Sequence, residues 1–354
     1  MPDAAPKSES AESDFAGVSV SDVVEIKEQS PFEKLLSSQA FWVMIALLLI
    51  IGLMVYLQPA FGSSANFYNV TRNFAYIGIM SIGMVCVIIT GGIDLSVGSV
   101  MAFVAIVAAR LLEAEYPWFV AYAAGLGAGA MVGAVNGSLI AYVRLPPFVV
   151  TLGMLSIARS LAIVVSENRV LYQFGPGGDV FKAIGGGQIE LPWIDGGTLA
   201  LSNLFVVLVV LAIATAIVLR TTAWGRYIFA IGGNENAARL TGIPVDRIKI
   251  QAYIFCSMTA ALAALMMAGW QGSASNGMGK SYELYVIAAA VIGGANLMGG
   301  HGSIFGAFVG AALIFLIRNS LIMFGIDANW YDMFVGLFII LAVLLERIRA
   351  GARG

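Results

Sequence analysis

The sequence predicts an all-α, polytopic membrane protein with about ten transmembrane helices, both termini in the cytoplasm, and helices broken at two related Gly-Gly motifs. Three observations carry that expectation. First, 59% of the 354 residues are hydrophobic and 11% are charged, with a mean hydropathy of +0.88, whereas about 25% of residues in a soluble domain are charged. Second, the apolar residues come in long runs, and about 18 or more in succession mark a helix that can cross a bilayer. Third, two runs are interrupted by one pattern, Gly91-Gly92-Ile93-Asp94-Leu95 and Gly293-Gly294-Ala295-Asn296-Leu297.

Taken in order, residues 1–37 are polar, with eight acids from Asp3 to Glu33 against Lys7, Lys27 and Lys34. Such a segment buries too little apolar surface to fold, so an acidic, disordered cytoplasmic tail is expected ahead of a transmembrane domain at 38–354. It lacks the basic start and short apolar core of a cleavable signal peptide, so the first apolar run is expected to stay as a helix. Ten spans follow, at about 41–57, 74–90, 98–113, 118–143, 146–166, 201–219, 250–271, 284–298, 303–324 and 331–346. With both termini inside, the inner segments hold Lys7, Lys27, Lys34, Arg144, Arg220, Arg226, Arg239, Arg247, Lys249, Arg347, Arg349 and Arg353. The outer segments hold Arg72, Arg110, Arg169, Lys182 and Lys280. Basic residues favour the cytoplasmic side, so this bias sets the orientation.

The first interruption, Gly91-Gly92-Ile93-Asp94-Leu95-Ser96-Val97-Gly98-Ser99, places a carboxylate and two hydroxyls between apolar runs. A carboxylate at membrane depth is costly unless it faces protein or water, and paired Gly-interrupted segments mark transporter binding sites. Both copies run on into Ser-x-x-(Ala or Gly)-Phe, at Ser99 to Phe103 and, with one extra residue, Ser303 to Phe308. One pathway built from two related halves is the reading, with Gly91, Gly92, Asp94, Ser96, Gly98, Ser99 and Asn296 as candidate path residues. Asp94 has a second reading, as a cap that accepts backbone N–H groups of the helix starting near Leu95.

Gly125, Gly129, Gly133 and Gly137 in the fourth span, and Gly302, Gly306 and Gly310 in the ninth, recur every four residues. Such ladders allow close backbone approach, either across a dimer or, as preferred here, within one subunit. Arg159 and Arg318 lie well inside spans, where lining a path competes with partnering a carbonyl or snorkelling. Residues 167–200 form the longest outer loop, suited to an external partner or to a short surface helix. Cys86 and Cys256 sit in apolar runs, as buried thiols do, so neither a disulfide framework nor a metal site is expected.

The inner segment 220–249 is the charged stretch with the most punctuation. Its middle reads as a short capped helix: Asn234 at the N-cap, Glu235 at the positive dipole end, Arg239 at the negative end, and Gly242 as a left-handed C-cap before Pro244. Two turns are not stable alone in water, so this knob must pack on its own protein or on a partner. The alternative is an ordinary connector.

Ala274-Ser275-Asn276-Gly277-Met278-Gly279-Lys280-Ser281 ends like a phosphate-binding loop, yet Ala274 stands where the first glycine belongs and no strand precedes it. His301 is the only histidine, which leaves little for a zinc site or a Ser-His-Asp triad. No basic block suits nucleic acid. The chain is therefore expected to be no enzyme, to need no cofactor, and to bind no nucleic acid.

Two long motifs resemble the permease subunits of bacterial ABC importers for ribose, xylose, fructose and related monosaccharides. They are Thr90 through Ser99, and Gly225-Arg226-Tyr227 through Gly232-Gly233-Asn234 and Ala237-Ala238-Arg239 to Gly242-Ile243. The resemblance spans about residues 41–347. It implies a ten-helix permease that dimerises with a second copy or a close paralogue, docks cytoplasmic ATPase subunits and receives sugar from a periplasmic binding protein at the bacterial inner membrane. Arg226, Asn234, Glu235, Ala237, Ala238, Arg239 and Gly242 would then form the ATPase coupling element. Branched-chain amino-acid permeases belong to the same wider group and differ by an Asn where this chain has Asp94. An ion-coupled secondary transporter is the other alternative, disfavoured because Asp94 is nearly alone as a carboxylate within the spans.

Overall fold

The computed structural model describes residues 38–192, 198–337, 340, 341 and 344. The acidic tail, with its expected disorder, and Trp193 lie outside the described residues. Twelve α-helices run through residues 39–323 of them. In chain order they are α1 (Gln39–Leu57), α2 (Ser64–Ile89), α3 (Val97–Glu113), α4 (Trp118–Ala141), α5 (Pro147–Ser166), α6 (Gly178–Gly186), α7 (Asn203–Thr221), α8 (Ala223–Gly233), α9 (Glu235–Leu240), α10 (Val245–Gln271), α11 (Tyr282–Ile292) and α12 (Ile304–Met323). A two-stranded antiparallel hairpin, β1 (Gln188–Pro192) and β2 (Thr198–Ser202), lies between α6 and α7.

Seven of these helices, α1, α2, α4, α5, α7, α10 and α12, are long and apolar enough to cross a membrane. The protein is multi-pass. The expected spans 98–113 and 284–298 are the shorter helices α3 and α11, of 17 and 11 residues. The expected span 331–346 falls partly outside the described residues, with helical backbone at 331–337.

Helix starts are written in hydroxyls and amides. The side chains of Ser38, Ser63, Ser202, Thr222, Asn234 and Ser303 each accept a backbone N–H three residues on, which satisfies a donor the helix itself leaves free. Three elements depart from expectation for local reasons. Helix α2 begins ten residues before the predicted 74, because Ser63 caps it and its polar first turns find partners. Asn66 donates to the Phe61 carbonyl at 2.9 Å and accepts from Asn319, while the Arg72 guanidinium lies 4.1 Å over the Trp270 ring and 4.9 Å over Tyr68. Helix α11 stops at Ile292 rather than 298, since Gly294 takes φ +96°, a region that favours glycine. Within 167–200, the described residues carry a short helix, α6, and the hairpin, which was not expected. Helix α6 packs on α10, where Gly185 abuts the Met266 carbonyl and Trp270.

Helices α2 and α10 form the buried centre, with Met80, Met84 and Tyr253 among the fully buried side chains. Helices α1 and α7 present Leu48, Leu49, Leu53, Val210 and Ile213 outward, as a lipid-facing helix should. The glycine ladder of α4 packs against α10 within the chain. A Cβ on Gly125, Gly129, Gly133 or Gly137 would meet Leu265, Ala261, Ile254 and Ile250 respectively. The ladder of α12 packs on α11 in the same way, Gly306 on Gly293 and Gly310 on Ala289. Arg159 resolves as a carbonyl partner: it donates to the backbone oxygens of Asn276 (2.5 Å) and Met278 (2.9 Å), pinning the 272–281 loop to α5. Arg318 lies 4.9 Å over the Tyr331 ring.

Candidate functional site at the interrupted helices

Between α2 and α3 the chain turns through 90–96. Gly91 takes φ +78°, and the Asp94 carboxylate oxygen Oδ1 accepts the Ser96 backbone N–H at 2.9 Å and the Ser96 hydroxyl at 2.6 Å. Asn136 of α4 donates to the Ser96 hydroxyl oxygen at 3.0 Å. Asp94, Ser96 and Asn136 are wholly buried, and Ser99 is nearly so. The Tyr253 hydroxyl of α10 sits 3.5 Å from the Ile93 carbonyl, where it also closes the space beside Gly92. Gly98 is pressed against Gly279 and the Glu283 carboxylate. Asp94 thus accepts a backbone N–H as the capping reading expects, but from Ser96, the N-cap residue immediately before the first helical residue of α3, Val97.

The second interruption, 293–303, is compact in a different way. Asn296 Oδ1 accepts the Met298 N–H at 2.8 Å, the Gly299 N–H bonds the Asn296 carbonyl at 2.9 Å, and the Asn296 N–H bonds the His301 carbonyl at 3.1 Å. Gly299 and Gly300 both have positive φ. The tip of this closed loop is open: Met298 is 86% exposed.

The two interruptions meet. The Gly300 N–H donates to the Ile89 carbonyl at 2.9 Å, and a Cβ on Gly299 would lie 3.1 Å from the Gly91 nitrogen and 3.0 Å from the Gly232 carbonyl. Gly232 belongs to the last turn of α8, so this contact joins three segments far apart in sequence. Helix α8 itself was not expected. It starts where Gly225 lies against the Leu219 backbone, is capped by Thr222, and buries Ile228 and Ile231.

Helix α9 follows directly. Asn234 caps it by accepting the Ala237 N–H at 3.0 Å, Ala238 is buried, and Gly242 takes φ +83° at its end. Arg239 holds Asp246 in a two-pronged pair (2.8 and 3.2 Å) and reaches Glu235 at 3.5 Å, while Lys249 binds Glu235 at 2.6 Å. The bond and charge of Asp246 hold the Arg239 guanidinium above its ordinary pKa. The knob is thereby fixed to the start of α10. Its tip, Leu240, is 89% exposed, and Arg226 lies exposed on α8. Lys249 entered the sequence reading only as a charge and Asp246 not at all; a carboxylate seven residues after Arg239 across Gly242-Ile243-Pro244 is the signal that a turn would bring them together.

A multi-pass helical protein with two interrupted helices joined to a capped, laterally fixed helix pair is built as a transport permease. The chain belongs to the family described as branched-chain amino acid transport system, permease component, whose model matches residues 66–344. Among its curated relatives, the ribose import permease protein of Escherichia coli (strain K12) is 38% identical over 309 residues, covering 86% of this chain and 92% of that protein. The ribose import permease protein of Bacillus subtilis (strain 168) is 35% identical over 303 residues, covering 86% and 91%. The fructose import permease protein of Rhizobium meliloti is 32% identical over 314 residues, covering 88% and 86%. No solved structure gives a significant match.

Proposed function

We propose that the chain is the membrane-spanning subunit of an ATP-driven importer in a bacterial inner membrane, and that it passes a monosaccharide or related polyol delivered by a periplasmic binding protein. The observation that carries this reading is the near-complete overlap with sugar import permeases: over nine-tenths of the Escherichia coli ribose permease aligns with this chain. ATP hydrolysis belongs to a separate cytoplasmic subunit. Both termini face the cytoplasm, ten helices cross the bilayer, and the working unit contains a second copy or a close paralogue. Sugar passes beside the interruptions, with Gly91, Gly92, Asp94, Ser96, Gly98, Ser99 and Asn296 shaping the passage. Asp94, Ser96 and Ser99 are buried, so they brace its wall from behind. Helix α9 with its flanks, Arg226, Asn234, Glu235, Ala237, Ala238, Arg239 and Gly242, is the docking knob for the ATPase.

Proteoliposomes holding the chain with its ATPase and binding protein should accumulate ribose or fructose only when ATP is supplied. Uptake driven by an ion gradient without the ATPase would sink this reading. The family description favours one second reading, import of branched-chain amino acids; ATP-dependent leucine uptake with no monosaccharide uptake would establish it instead. Replacement Gly242→Pro or Arg239→Glu should uncouple transport, and wild-type uptake with wild-type ATPase co-purification in both variants would reduce α9 to a connector.

A further inference from the structure

The closest approaches between α8 and the two interruptions are backbone on backbone. Gly232 faces the Ile89 carbonyl and the Gly300 N–H so closely that a single Cβ would strike both. Its neighbour Gly233 has nothing within 4 Å of where a Cβ would stand. Gly299 and Gly300 also lie against the Gly232 backbone, each at positive φ and so each restricted to glycine-like residues. Backbone in direct contact with backbone moves as one body, because no side chain between them can change rotamer and absorb a displacement. Gly232 is two residues before Asn234, the cap of α9, and Ile89 is the last residue of α2.

We propose that Gly232 is a positioning residue that carries motion of the ATPase knob into both interrupted helices at once, through its backbone contacts with Ile89 and the 299–300 turn. This rests on the docking reading of α9 and adds the step that follows docking. A push on α9 reaches Gly232 through one helix end. From there it is passed to the end of α2, which leads into the Asp94 turn, and to the 296–300 loop, which leads into α12. Without such a contact a docked knob would be tied to the spans only through the chain itself and its ion pairs with the start of α10.

The relay predicts a separation that a docking defect does not give. The test uses the complete complex with its ATPase, and three variants. Gly232→Ala should still insert and co-purify with the ATPase, yet its ATP-dependent uptake should fall at least tenfold. Gly233→Ala, placed in open space one residue away, should transport like the parent. The third variant, Met298→Cys, supplies an independent readout. Cys86 and Cys256 are buried, so a water-soluble maleimide labels the exposed tip of the second interruption. In the Met298→Cys chain, the labelling rate should change when the ATPase is trapped with nucleotide and vanadate, and adding Gly232→Ala should abolish that change. The relay is overturned if Gly232→Ala transports as well as Gly233→Ala. It is also overturned if labelling of Met298→Cys is blind to nucleotide in a complex that transports, a result that stands even where Gly232→Ala does not insert. Failure of the docking reading looks different: there, Arg239→Glu and Leu240→Asp would leave ATPase co-purification intact.

Discussion

The two interruptions make the same local turn in opposite surroundings. In each, a side-chain oxygen accepts the backbone N–H two residues on: Asp94 Oδ1 from Ser96 at 2.9 Å, Asn296 Oδ1 from Met298 at 2.8 Å. In each, a Gly-Gly pair with one positive φ precedes it, at Gly91 and at Gly294. Yet the first turn is sealed by Asn136 of α4 and Tyr253 of α10, while the second ends on the most exposed methionine tip of the region. The difference teaches where the polar group is indispensable. Asp94 supplies acceptors in a place water does not reach; Asn296 does a job that solvent can take over. The downstream elements diverge as well. Ser99 lies inside the first turn of α3, whereas Ser303 is the N-cap of α12, accepting the Gly306 N–H at 3.1 Å.

The largest effect should come from emptying the buried turn. Asp94→Ala takes from the Ser96 N–H and hydroxyl their shared acceptor in a wholly buried place, and an orphaned buried donor costs about 1–3 kcal/mol. A loss of about 2 kcal/mol against denaturant in detergent is expected, with uptake reduced. A loss below about 0.5 kcal/mol would mean that the Asp94 turn is not what holds the first interruption. Asp94→Asn retains an oxygen at Oδ1, so folding and uptake should survive. If uptake disappears while the variant still inserts and binds its ATPase, the charge is needed and turn geometry alone is an insufficient account.

These variants also probe what could be seen before the structure. The interruptions were legible because a Gly-Gly pair followed by a carboxylate or carboxamide has no place in a continuous apolar span. The α9 cap was legible for the same local reason, from Asn234 to Gly242. Burial of the first turn was not legible, since its partners are distant: Asn136 is 40 residues from Ser96 and Tyr253 is 160 from Ile93. Nothing in Gly91–Ser99 distinguishes a wall residue from one facing the path. Helix α8 was missed because its buried residues, Ile228 and Ile231, are few and stand among Trp224, Arg226 and Tyr227, so the stretch resembles a loop. The hairpin was missed because β1 is exposed along its whole length, leaving no apolar alternation to read.

At the exposed interruption the effects should be smaller. Asn296→Ala removes the acceptor of the Met298 N–H, but water can replace it, so the expected cost is about 0.5 kcal/mol, at the low end for a hydrogen bond. The same denaturant titration used for Asp94→Ala gives the comparison directly. Equal losses at the two positions would show that the second turn is as closed as the first.

The smallest effect belongs to Met298→Ser. A side chain 86% exposed has almost no packing to lose, and surface substitutions of this kind stay within about 0.5 kcal/mol. The loop beneath it is held by backbone bonds, from Gly299 to the Asn296 carbonyl and from Gly300 to the Ile89 carbonyl, none of which needs the methionine. Its melting temperature should therefore match that of the parent. A fall of several degrees would mean that Met298 is buried in the assembled protein, against a second copy or the ATPase, and that the contrast between a closed and an open interruption holds for the single chain only. Repeating the melt with and without the ATPase decides between those two covers, since only contact with the ATPase would make the deficit depend on its presence.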